Sequence, residues 1–137
     1  MVGISSKTFY AISALQELGN IPEGSVLKIK DIAKNAKIPQ NFLEQILLEL
    51  KKQGLLKSTK GAYGGYQLAK PLKNISLKEV ILILETDIFS DDYKSKDAGL
   101  TLFWDDIREN ITKVFDIPLS ELKNYTLKST KTLNYSI

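Results

Sequence analysis

Gln40, Asn41, Glu44 and Gln45 are the residues here whose types and spacing best suit a recognition chemistry. They share one side of a helix and match nucleobase edges: amides suit adenine, and a carboxylate accepts from the cytosine amino group. Phe42, Leu43, Ile46, Leu47 and Leu50 form the other, apolar side, a face to bury. Polarity alone leaves a plain solvated helix face open as the alternative. A second set follows. Lys57, Lys60 and Lys70 lie around Gly61, Tyr63, Gly64 and Gly65, a basic, glycine-rich tip that can approach another backbone closely, with a tyrosine to lie against a sugar or phosphate. The P-loop spacing is absent, which argues against nucleotide binding and leaves a plain β-hairpin as the alternative. A third set, Ser5, Ser6, Lys7 and Tyr10, lies at or near a helix amino terminus, where N–H groups and the helix dipole favour an anion.

Catalysis has little to work with. The 137 residues include no cysteine and no histidine, which removes disulfides, thiolate and imidazole metal sites, and any Ser-His-Asp triad. The acid pairs Asp91-Asp92 and Asp105-Asp106 sit among solvated residues. The expectation is a protein that is not an enzyme and carries no cofactor.

The elements that must position these sets follow from periodicity. Residues 4–18 place Phe9, Ile12, Leu15 and Leu18 on one stripe, with Ala11 and Ala14 beside it and Gly19 at the end. Asn20–Ser25 is a loop, and Val26-Leu27 a short strand beside the hairpin. Ile29, Ile32, Ala33 and Ala36 form a short helix; Lys37-Ile38-Pro39 breaks it, Pro39 opens the next helix, and Gly54 closes that one. Leu55–Thr59 and Tyr66–Ala69 are strands. The stretch from Lys28 to Pro71 thus reads as a helix-turn-helix followed by a wing, a device for gripping duplex DNA. Ser76-Leu77-Lys78-Glu79 is a capping box opening a helix with Leu77, Val80, Ile81 and Leu84 inward. From Gly99 to Asp116, Leu100, Trp104, Ile107, Ile111 and Val114 repeat at four, three, four, three, a coiled-coil seam widened by Phe103 and Phe115. The winged helix already closes a core, so this stripe is read as a dimerisation helix. Pro118–Asn124 forms a further short turn, and Lys128–Ile137 is β-prone. The fold class is mainly α with a small β-hairpin: residues 1–85 a winged helix-turn-helix domain, 86–98 a loop, 99–117 the dimerisation helix and 118–137 a carboxy-terminal segment.

The net charge of +3 is informative once divided. Residues 1–70 hold ten basic against five acidic residues, or +5; residues 71–137 hold nine against eleven, or −2. The positive half contains the helix-turn-helix and the wing, as phosphate neutralisation requires. No apolar run reaches the roughly 18 residues of a membrane span and no signal peptide opens the chain, so a cytoplasmic protein without a membrane partner is expected.

Several stretches together resemble one family. Phe42-Leu43-Glu44-Gln45, Gly54-Leu55-Leu56-Lys57-Ser58 and Lys60-Gly61-Ala62-Tyr63-Gly64-Gly65-Tyr66-Gln67-Leu68 are similar to the signature of the Rrf-two family of winged-helix transcription regulators. Ile4–Ala11 and Ile75–Ile81 match it in the same order. The resemblance covers roughly residues 1–116 and implies a homodimeric DNA-binding repressor with a pseudo-palindromic operator. Taken with the residue chemistry above, the expected DNA contacts are Ser5, Ser6, Lys7, Tyr10, Lys28, Gln40, Asn41, Glu44, Gln45, Lys57, Lys60, Gly61, Tyr63, Gly64 and Gly65. Dimerisation would rest on Leu100, Phe103, Trp104, Ile107, Ile111 and Val114. Lys28 and Pro39 depart from the family, each standing where a serine cap is usual. Cluster-binding members carry three cysteines in the 86–98 loop; this chain has none, so no iron–sulfur cluster is expected. It is similar instead to the cluster-free cysteine-metabolism repressors, which implies cysteine synthase docking at Tyr135 and Ile137, or a small-molecule effector, against the plainer reading of a frayed tail. A winged-helix interaction module that does not bind DNA is the alternative.

Overall fold

The computed structural model describes residues 3–85 and 95–135. Helix α1 (Ser6–Gly19) buries Thr8, Ala11, Ala14, Leu15 and Leu18. Phe9, assigned above to the apolar stripe, is 49% exposed. It stands about 100° around the helix from Thr8, which puts it off the buried line. Helix α2 (Ile29–Ala36) starts after Lys28 without a side-chain cap. It ends at Lys37, whose left-handed backbone (φ 57°) returns its N–H to the Ala33 carbonyl. Ile38 then drops into the core, and Pro39 crosses back to the surface with ψ 129°. Pro39 is therefore the residue before helix α3 (Gln40–Lys52) and not its first residue. Leu43, Ile46, Leu47 and Leu50 are the buried face of α3. Phe42 is not part of it.

Gly54 (φ +82°) ends α3, and the Leu55 N–H closes on the Leu50 carbonyl at 3.0 Å. The wing follows: β1 (Leu56–Thr59) pairs antiparallel with β2 (Gly65–Leu68), in the register Leu56 with Leu68 and Thr59 with Gly65. Leu27 adds a third edge through reciprocal hydrogen bonds with Tyr66 of 2.9 and 2.7 Å, as expected for Val26-Leu27. Gly64 is buried, and a Cβ there would collide with the Thr59 carbonyl; a Cβ on Gly65 would collide with that of Leu27.

After a 3₁₀ turn (Leu72–Asn74) comes α4 (Leu77–Leu84), capped by Ser76, whose Oγ accepts the Glu79 N–H at 3.0 Å. The capping box is only half formed. Glu79 turns its carboxylate to Lys70 Nζ at 2.8 Å instead, tying the base of the wing to α4. Asp97 caps α5 (Ala98–Phe115), which has no buried residue. The chain then returns to the head: Leu77 N–H donates to the Ile117 carbonyl and Leu119 N–H to the Ile75 carbonyl, both at 2.8 Å. Buried Leu119 joins the core shared by α1, α2, α3, β1 and α4.

A second 3₁₀ turn (Leu119–Glu121) leads into α6 (Leu122–Tyr135). The β-prone reading of the segment from Lys128 is therefore corrected to helix for the residues through Tyr135. Thr126 and Thr130 each donate their hydroxyl to the carbonyl four residues back at 3.1 Å, so these branched side chains find a hydrogen-bond partner on the helix itself. Ile137, and the loop reading for residues 86–94, fall outside the described residues.

The crowding at Gly64 yields a test. Gly64→Ala should lower stability by about 1–3 kcal/mol, the usual cost of overpacking, measured by urea denaturation. Gly61→Ala meets no neighbour, so its cost should come from its φ of +105° alone, about 1–2 kcal/mol.

Candidate nucleic-acid interface

Burial of Leu43, Ile46, Leu47 and Leu50 fixes the rotation of α3, so that Gln40, Asn41, Glu44 and Gln45 all point to solvent. The amino-terminal end of α1 lies beside them. Ser5, Ser6, Lys7 and Tyr10 from one helix and Asn41, Phe42, Gln45 and Ile46 from the other line a groove of about 330 Å³. The structure thus brings the anion-favouring set and half of the base-reading set into one depression. Lys57, Lys60, Gly61 and Tyr63 stand outside this groove on the wing, and Tyr63 is 96% exposed. Lys28 is exposed at the foot of the wing, its backbone beside Gly65.

Several of the residues expected at the interface have partners within the chain. Gly64 and Gly65 lie close against the backbones of Thr59 and Leu27, which leaves no room for a Cβ. Ser5 is committed internally, since its N–H and its hydroxyl both donate to Glu85 Oε1, at 2.7 and 2.6 Å. Lys7 holds Glu49 at 2.9 Å across a part-exposed pair, which anchors α1 to α3 but leaves ammonium hydrogens for a phosphate.

Sequence reasoning missed two residues here. Phe42 is 56% exposed and meets the Tyr10 ring at a centroid distance of 6.4 Å. At 100° per residue it lies about 90° from the centre of the buried face of α3, a flank position that a count of apolar residues places inside and a helical wheel places at the edge. Glu85, just past α4, accepts the two Ser5 bonds and a third from the buried Thr8 hydroxyl at 2.9 Å. The Ser5 hydroxyl above all, then the Ser5 N–H, the Thr8 hydroxyl and the Lys7 charge, hold the Glu85 carboxyl below its ordinary value, against a desolvation that raises it. Eighty residues separate Ser5 from Glu85, so no local pattern announces the clamp.

Comparison with known proteins gives this geometry a context. Residues 4–130 match the Rrf2 family, described as iron-dependent transcriptional regulators. The HTH-type transcriptional regulator CymR of Bacillus subtilis is 30% identical over 129 residues, spanning 90% of this chain and 91% of its own. IscR of Klebsiella pneumoniae is 31% identical over 129 residues, spanning 88% and 79%. The structure of CymR, the global cysteine regulator of B. subtilis, superposes with a TM-score of 0.77 at 30% identity over 91% of this chain and 98% of that one. T. potens IscR superposes with a TM-score of 0.71 at 27% identity over 90% and 87%.

The residues present do not fit iron held by thiolates or imidazoles. The sequence contains neither cysteine nor histidine, and among the described residues no three carboxylates converge on a point that could hold an ion.

The Glu85 clamp carries its own pH test. A carboxyl that titrates below its unfolded value of 4.5 contributes stability that is full at neutral pH and is lost as the pH falls from about 5 through the folded value. Glu85→Gln should therefore lower the unfolding midpoint at about pH 7, and the gap to wild type should close in acid. A gap unchanged down to about pH 3.5 would show that the carboxylate charge contributes nothing.

Proposed function

The chain belongs to the Rrf2 family of DNA-binding transcriptional regulators, and on that premise we propose that it acts as a homodimeric repressor. In this reading α3 lies in the major groove, the amino-terminal end of α1 sits on the sugar–phosphate backbone, and the wing reaches the adjoining groove. Gln40, Asn41, Glu44 and Gln45 meet base edges; Ser6, Lys7, Tyr10, Lys28, Lys57, Lys60 and Tyr63 meet the backbone. The observation that carries this is the shared groove, which Ser6 and Lys7 at the start of α1 line together with Asn41 and Gln45.

The homodimer is supported by α5. Phe103, Trp104, Ile111 and Val114 are exposed on it, and Leu100 and Ile107 are only partly covered. A second copy packing along this seam would bury them, and two-fold symmetry would present two copies of α3 to a pseudo-palindromic operator. Repression is then steric occupation of the operator, and a metabolite or partner protein, cysteine synthase among the candidates, acts by changing the separation of the two heads. Similarity to a cysteine regulator supports sulfur-metabolism genes as targets. DNA as the target supports a cytoplasmic location, and among the described residues no helix is long and apolar enough to cross a membrane.

Binding measured by fluorescence anisotropy across a salt series separates the roles. Lys60→Ala should weaken binding to every sequence and reduce the salt slope by about 0.9. Asn41→Ala should cost about 1–3 kcal/mol on the selected operator and relax preference chiefly at one base pair. Equal losses on operator and random DNA for both variants would contradict the assignment. Ile107→Asp should give a folded monomer by sedimentation equilibrium and lose most operator affinity; a persistent dimer would place the interface elsewhere.

A further inference from the structure

Phe42 is an aromatic ring in the first turn of α3 that the hydrophobic core does not use. It lines one groove together with Asn41, Gln45 and Lys7, and meets the Tyr10 ring at an interplanar angle of 33°. The ring therefore shares a groove with side chains assigned to base edges and with side chains assigned to phosphates. A phenyl group offers no donor or acceptor, so it cannot join hydrogen-bonded readout. The apolar feature that a base edge presents in the major groove is the C5-methyl of thymine, a known partner for phenylalanine. That methyl projects near the backbone of its own strand, and the groove that Phe42 lines likewise joins base-edge and phosphate side chains.

We infer that Phe42 reads a thymine methyl at one position of each half-site, with Tyr10 bracing the ring. The inference rests on α3 being the DNA-reading helix. It gives Phe42 a specificity role that Asn41 and Gln45 cannot fill. Amides recognise the adenine of an A·T pair by hydrogen bonds; Phe42 recognises a thymine by its added volume.

A uracil scan tests this. Duplexes selected in vitro by the wild-type protein are resynthesised with each thymine in turn replaced by uracil, which removes one methyl and leaves the hydrogen-bonding edge intact. Wild-type affinity should fall about fourfold at one thymine per half-site, the value of one buried methyl-sized group. Phe42→Ala, checked for wild-type circular dichroism, should bind the thymine and uracil duplexes equally at that position, and Phe42→Leu should keep part of the difference. If Phe42→Ala does not fold, a reduced discrimination by Phe42→Leu decides the matter. Identical uracil responses in wild type and variants at every thymine would overturn the role of Phe42 while leaving α3 as the reading helix. Failure of the wild-type protein to select any sequence would instead overturn the parent reading.

Discussion

One face of α3 has to be dry while the opposite face stays wet, and the rest of the head is arranged to meet that constraint. Leu43, Ile46, Leu47 and Leu50 are fully or almost fully buried, and burying four such side chains contributes on the order of 6–12 kcal/mol before entropy is counted. A rotation of α3 by one residue would expose them. The apolar side therefore fixes the polar side, and the aim of Asn41 and Gln45 is set by leucines that point the other way. The Lys7–Glu49 pair and the Glu85 clamp on Ser5 and Thr8 act on the neighbouring helix α1. They hold its amino-terminal end at a fixed height beside α3.

Charge and apolar surface are distributed in complementary fashion. The first seventy residues carry the positive excess, and α5, which carries none of the core, displays the largest run of uncovered aromatic and aliphatic side chains among the described residues. A basic head and a greasy stem suit different partners: the head suits a polyanion, the stem a surface as apolar as itself. Their separation along the chain lets each act without competing for the same residues.

Most of this organisation was legible in the sequence because it depends on local periodicity. Three- and four-residue spacings located α1, α2, α3, α4 and α5, and the glycines located the wing. What escaped depends on relations that periodicity does not encode. Phe9 and Phe42 are apolar residues one step off a buried line; a helical wheel puts Phe42 at the edge of its stripe, and the rotation of the helix in the fold shows that this edge is exposed. Glu85 meets Ser5 through tertiary structure alone. The wing glycines were legible as glycines, but their reason, crowding by Thr59 and Leu27, needed coordinates. The helix at Leu122–Tyr135 was hidden by threonines, whose strand preference is a weak signal that the surrounding structure overrides.

The return of the chain at Ile117 and Leu119 to Ile75 and Leu77 has a mechanical corollary. Just past the end of α5 the chain is therefore stapled to the head, which fixes that end of the stem. Were two copies joined stem to stem, this staple would help set the gauge between their heads, and a change at it would be felt where the heads touch their target.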